Sequence, residues 1–326
     1  MIRPFDWRDL TLLHRLRSHG LCLDSHLDYT RGPDAFQDAL LDPFSRGQST
    51  CTLVYRPDDR DHSPAVGQFT HKARQPFAHL TFIGPIEALS QPGGMRLLDA
   101  LSQAAGERGV HHLIAEVEET SPAFEGLRHA GFAVYARQHI WRLTEAPRAE
   151  IQPLDIAWRL EAESDEPAIR SLYHNLVPDL VQQVESPPVS SRLNLVHWDQ
   201  EELLGYLDIK RGPRGIWAQA YIHPAAERAD QLLAGFMAQF NPMPDKPLFI
   251  CVRTYQAGLS GSLDRLGFTP FSDQAVMVKR LTAVLRERVP STLPKMEGTQ
   301  PEPTAPFSNL PSATQASHDH PVRETS

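Results

Sequence analysis

Apolar and polar positions along the chain fall into two recurring rhythms. LTFIGP (80–85) is a β-branched and aromatic run that closes on Gly84-Pro85, which predicts a strand stopping there. Leu97, Leu98, Leu101, Ala104 and Ala105 then form one stripe at helical spacing, and Gly109 sits where that helix ends. HLIAEVEE (112–119) alternates apolar and acidic residues like a half-buried strand. Ser121-Pro122 offers an N-cap and a first-turn proline for a second helix, which Gly131 ends in a left-handed turn.

The same order returns downstream. GIWAQAYIHP (215–224) is a strand ending at a proline, and Leu232, Leu233, Phe236, Met237 and Phe240 mark a helix. Leu248 to Val252 is a buried-looking strand, and a helix follows that ends Leu266-Gly267-Phe268. The span from Pro85 to Gly131 nearly equals that from Pro224 to Gly267. Both copies close on a strand ending Arg-Leu, at 140–143 and 278–281. Both open alike, with a short strand, an acidic turn and an amphipathic helix, at MIRPFDWRDLTLLHRL and at AWRLEAESDEPAIRSLY. Five elements in one order at near-equal spacing indicate an internal duplication.

The remaining segments are read in outline. Residues 9–19 form the first helix, RGPDAFQDALLDPFSRG (31–47) a second, Thr50 to Tyr55 and the run from Ala65 two strands, and 56–64 a polar turn between them. His26, Asp28 and Tyr29 read as pocket residues or as the surface of a loop. ESPPVSSR (185–192) is a loop between helix and strand. The boundaries are therefore 1–145 and 157–288 for two domains, 146–156 for a proline-containing linker, and 289–326 for a disordered tail rich in Pro, Ser and Thr.

Composition changes this picture little. A net charge of −8 gives no reason to expect a nucleic-acid partner, and no apolar run is long enough to span a membrane. The N-terminus carries no signal-peptide core, and Cys22, Cys51 and Cys251 show no pairing or metal spacing, so a reducing cytoplasm and no metal are expected.

A strand, a glycine-bearing turn and a helix N-terminus are together suited to phosphate, because the first helical N–H groups lack partners and Gly93 and Gly94 lack a Cβ. With Ile2-Arg3-Pro4, Asp9, the strand-proline-Leu-Leu patterns and the Gly-Phe helix ends, each half resembles a GNAT-superfamily acyltransferase domain. The whole resembles a tandem GNAT protein over roughly residues 1–145 and 157–282. The resemblance implies an α/β fold (a mixed α+β sheet with flanking helices) built twice, acetyl-CoA as acyl donor, and a small-molecule or peptide amine as acceptor, in a monomer or homodimer.

The family's Arg/Gln-x-x-Gly-x-Gly/Ala loop maps onto Gln91-Pro92-Gly93-Gly94-Met95-Arg96, with Arg96 replacing the final small residue. A register set on Leu97-Leu98 places Gly94 at the last glycine instead. In the second half the loop is Ala225 to Asp230, without glycine and with two carboxylates that repel pyrophosphate. The tyrosine that commonly protonates the leaving thiolate is Leu127 in one half and Leu263 in the other, and a common asparagine is Thr120 and Gln256. Cofactor candidates are thus Gln91, Gly93, Gly94, Met95, Arg96 and Thr120. Base candidates are His79 and Glu116; Glu116 shares a strand face with Glu118, which also reads as a solvated face, and His79 also reads as a structural strand histidine.

Two functions follow: an acyl-CoA-dependent N-acetyltransferase with its CoA site in the first half, or a degenerate tandem GNAT that binds or regulates without chemistry. The gap between the fourth and fifth strands of each half discriminates them, since GNAT domains splay there to admit the pantetheine arm.

Overall fold

A computed structural model describes residues 1–16, 18–32, 48–57, 63–145, 158–226, 229–240 and 243–281. The first half runs β1 (Ile2–Pro4), α1 (Leu10–Leu16), β2 (Leu21–Cys22), α2 (Ser25–Arg31), β3 (Gln48–Tyr55), β4 (Ala65–Lys72) and β5 (Phe77–Gly84). It continues with α3 (Pro92–Gly106), β6 (His112–Glu118), α4 (Pro122–His129) and β7 (Ala133–Leu143). The second half runs β8 (Arg159–Leu160), α5 (Glu166–Leu176), α6 (Asp179–Gln182), β9 (Leu195–Asp199), β10 (Glu202–Arg211) and β11 (Ile216–Ile222). It closes with α7 (Ala229–Met237), β12 (Leu248–Arg253), α8 (Ser260–Arg265) and β13 (Thr269–Arg280).

The duplication shows in matching local chemistry. In each half an arginine on the first strand grips an aspartate in the following turn with both guanidinium ends: Arg3 to Asp9 at 2.7 and 2.8 Å, and Arg159 to Asp165 at 2.7 and 2.6 Å. Each aspartate also accepts a backbone N–H three residues earlier, from Asp6 and from Ala162, which fixes the turn into the helix. α4 and α8 end identically too. Gly131 (φ +87°) and Gly267 (φ +90°) take the left-handed conformation, and the N–H of Phe132 and of Phe268 closes back on Leu127 and Leu263.

The halves are fused through one mixed sheet, ordered β1-β3-β4-β5-β6-β13-β7-β12-β11-β10-β9-β8 among the described residues. The last strand of each half has crossed over: β13 lies between β6 and β7, and β7 pairs with β12. Alternating strand residues bury both faces. In the first half Leu53, Phe69 and Leu80 pack under α3 and α4, while Val54, Val66 and Phe82 pack under α1. In the second half Ile209, Ala218 and Ile250 pack with α7 and α8, and Val196, Tyr206 and Tyr221 with α5 and α6.

A helix precedes the one expected at 31–47, which itself falls almost wholly outside the described residues. Asp24 caps a helix over Ser25–Arg31, its carboxylate accepting from the Leu27 N–H, and Gly32 ends it; residues 33–47 lie outside the described residues. His26, Asp28 and Tyr29 therefore stand on a helix rather than a surface loop. This helix reaches across to the other half, where Tyr29 stacks on Phe249 and Trp217 with ring centroids 4.9 and 5.8 Å apart. The whole expected linker, the whole tail and the tip of the 56–64 turn also fall outside the described residues.

Candidate functional site: two splayed strand pairs and a central cleft

Each half contains a parallel strand pair that opens partway along. β5 and β6 pair only from Phe77 opposite His112 to His79 opposite Ile114. β11 and β12 pair only from Ile216 opposite Leu248 to Gln219 opposite Cys251. Beyond those points the strand edges need other partners, because a buried backbone N–H or C=O without one is costly.

In the first half the chain supplies them from its own N-terminal segment. β2 pairs antiparallel with the open limb of β5, Leu21 opposite Ile83 and Cys22 opposite Phe82. The Leu23 N–H donates to the Thr81 carbonyl (3.0 Å), and the Glu116 N–H donates to the Leu23 carbonyl (2.8 Å), so one residue bridges both limbs. Leu23 is fully buried. In the second half the Gln256 carboxamide does this work. With its nitrogen toward the Ala220 carbonyl (2.6 Å) and its oxygen toward the Ile222 N–H (3.0 Å), donor meets acceptor at both ends. The opposite orientation leaves a single 3.4 Å contact to the Ile222 carbonyl, so the first is the physical one.

The phosphate-loop residues are placed as follows. A short 3₁₀ turn, Ile86–Ser90, separates β5 from α3, with Gln91 as N-cap and Pro92 at the first helical position. Pro92 has no N–H, and the Gly94 and Met95 N–H groups both donate to the Gln91 carbonyl. Gly94 is packed against backbone: a Cβ there would stand 1.9 Å from the Ala88 oxygen. A Cβ on Gly93 would stand 2.3 Å from the Tyr55 ring. Met95 is half-buried at the core edge and Arg96 is exposed. Thr120 is exposed in a separate shallow cleft with Arg137 and Ser272. In the other half the Asp230 carboxylate accepts the Gln231 N–H at the start of α7. Leu127 and Leu263 are fully buried core residues.

His79 and Glu116 are brought together on the wall of a cleft of about 420 Å³ between the halves. The Glu116 carboxylate accepts the Ser25 N–H (2.8 Å). Among the described residues His79 Nδ1 has no hydrogen-bond partner, and Asp24 is the carboxylate facing it, at 4.0 Å. Asp24 is buried and pairs with His26 Nδ1 at 2.6 Å. Burial alone would raise the Asp24 carboxyl, but His26, His79 and the Leu27 N–H outweigh it and hold it down to about 2. Burial lowers the basicity of His26, yet the Asp24 carboxylate more than compensates and shifts it upward.

The second half supplies the facing wall: Glu185, Gln219, Tyr221 and Arg253. Arg253 is 4% exposed. Its Nη2 donates to Glu185 (2.9 Å), which also accepts from the Tyr135 hydroxyl. Asp24 and Arg253 were not singled out in the sequence. A lone arginine closing the otherwise apolar run LFICV was the available signal for the second. Among the described residues no group of His, Cys, Asp and Glu side chains is arranged to hold a metal, and no helix is long and apolar enough to cross a membrane.

No protein-family model matches this chain, and no curated protein matches it. Solved structures do. A GCN5-related N-acetyltransferase from Sphaerobacter thermophilus aligns with a TM-score of 0.53 at 16% identity, over 86% of this chain and 95% of that one. An acetyltransferase from Pyrococcus horikoshii described as putative aligns at 0.51 and 13%, over 87% and 90%. A tandem GNAT protein from the clavulanic acid biosynthesis pathway aligns at 0.50 and 12%, over 86% and 98%. At such identities the likeness speaks for architecture. With its doubled elements, splayed strand pairs and mixed sheet, the chain has the tandem fold of the GCN5-related N-acetyltransferases.

Proposed function

We propose that this chain is a catalytically degenerate tandem GNAT protein that binds a small polar molecule in its central cleft. The observation that carries the reading is that the chain's own groups fill both splayed strand pairs, Leu21 to Leu23 in one half and Gln256 in the other. In this fold the pantetheine arm of an acyl-CoA enters at those splays. The anion site at the start of α3 is reduced in part, since Pro92 has no N–H and the Gly94 N–H donates to the Gln91 carbonyl.

A second reading keeps N-acetyl transfer in the first half. It is favoured by Glu116, His79 and the Asp24–His26 pair, which face the cleft at the narrow end of the β5–β6 splay. There Glu116 or His79 would take the ammonium proton of an amine acceptor while acetyl-CoA supplies the acyl group, and the thiolate would leave without a side-chain acid, since Leu127 cannot donate. That reading requires β2 to leave β5.

Isothermal titration of the whole chain with acetyl-CoA and with free CoA separates the two. No heat with either ligand up to about 1 mM, the weak end of ligand affinity, is the expected result. One equivalent of acetyl-CoA bound, and turned over with a primary amine, overturns the first reading and establishes the second.

A further inference from the structure

We infer that the wall of the central cleft formed by Gln219 and Arg253 binds the carboxylate of a small organic acid. The inference rests on the cleft being the ligand site of this protein. Gln219 lies on β11 opposite Cys251 of β12, and Arg253 stands two residues beyond Cys251, so both side chains leave the same sheet face on neighbouring strands. Three buried donors there have no acceptor among the described residues: Gln219 Nε2, and Nε and Nη1 of Arg253. Buried polar groups are nearly always paired, and a charged donor is the costliest to strand. Glu185 accounts for one nitrogen of the guanidinium only.

The chemistry of the missing acceptor follows from its surroundings. A guanidinium and a carboxamide present several N–H groups from planar heads, which suits the two coplanar oxygens of a carboxylate. A phosphate carries more negative charge, and Glu185, paired with Arg253 at 2.9 Å, already neutralises part of the guanidinium that would meet it. The space, about 420 Å³, accommodates a small molecule. The first half answers at the equivalent position with the opposite charge: Glu116, like Arg253, stands two residues past the last paired residue of its splay. Arg253 and Glu116 thus line one cleft from corresponding positions of the two halves.

The test is calorimetric titration of the whole chain with butyrate, succinate and 4-aminobutyrate, with their amides butyramide, succinamide and 4-aminobutanamide, and with inorganic phosphate. At least one carboxylate is expected to bind at least tenfold more tightly than its amide and than phosphate. Arg253→Met in a Glu185→Gln background, which strands neither charge, is expected to weaken that carboxylate at least tenfold, and Gln219→Leu at least threefold. Should the double variant fail to melt cooperatively, Gln219→Leu decides. Absence of carboxylate binding, equal or tighter binding of amide or phosphate, or unchanged affinity in the folded variants overturns the inference. Acetyl-CoA binding with carboxylate preference intact would overturn the proposed function alone.

Discussion

The Leu23 carbonyl accepts a hydrogen bond from the Glu116 N–H at 2.8 Å, joining a segment after the first helix to the open limb of a strand 93 positions later in the chain. Because Leu23 also donates to Thr81, it closes the β5–β6 splay as a third strand would. Its side chain is wholly buried in the core beneath α3. Leu23→Ala should therefore cost roughly 2–5 kcal/mol in urea unfolding, the range for emptying a buried leucine site. A loss under about 0.5 kcal/mol would mean that the segment does not hold the splay closed.

Gly94 serves packing against the Ala88 carbonyl. Gly94→Ala is expected to destabilise the chain by roughly 1–3 kcal/mol in the absence of any ligand, since the new methyl must displace backbone. Gly258→Ala is the control: nothing lies within 4 Å of a Cβ there, and its effect should stay within about 0.5 kcal/mol. Thermal unfolding of both variants reads the contrast.

Asp28 gives the fold a pH signature. Burial pushes its carboxyl up to about 6, with Arg214 opposing the rise and Asp24 adding to it. A carboxyl raised in the folded state binds its proton more tightly there than in the unfolded chain. Its contribution is complete below the ordinary value near 4 and is lost as pH rises through about 6. Asp28→Asn should thus stabilise the protein by roughly 3 kcal/mol at pH 8 relative to pH 4, measured as the change in unfolding free energy between the two pH values. Equal effects at both would refute the assignment.

The crossed strands make the halves interdependent. With β13 seated against β6 and β7 against β12, residues 1–145 expressed alone would expose the long edge of β6 and leave β7 without either neighbour. Far-UV circular dichroism and gel filtration should show an aggregated or unfolded fragment, with cooperative folding recovered on co-expression with residues 158–326. A monomeric, cooperatively melting 1–145 fragment would show that the shared sheet is dispensable.

Much of the architecture was legible in the residues. The periodic stripes of α3 and α7, the Ser121 cap and the glycines at 109, 131 and 267 are local signals, and each formed its element because its cause lies within a few residues of chain. The duplication was legible for the same reason, since equal spacing of local signals needs no knowledge of distant contacts. The α2 helix was not legible because its cap, Asp24, resembles any other polar residue until its carboxylate meets the Leu27 N–H.

The candidate site was less legible. Glu116 was read from alternation along its strand and His79 from its place on the strand before Pro85, and neither signal says what stands opposite. Gly93 and Gly94 were found as glycines, yet which neighbour fills the space left by a missing Cβ depends on the 3₁₀ turn folding back over α3 and on Tyr55 of a different strand.

By itself, then, the sequence determined the doubled order of the main strands and helices and the glycine and proline stops that end several of them, because propensity, capping and periodicity act over single turns of chain. Only the tertiary structure decided that β7 and β13 exchange places, that Leu23 and Gln256 fill the splays, and that Arg253 faces the central cleft with donors to spare. Those outcomes turn on which backbone edges and buried charges find partners among residues far apart in the chain, and that competition is resolved only when the two halves close into one sheet.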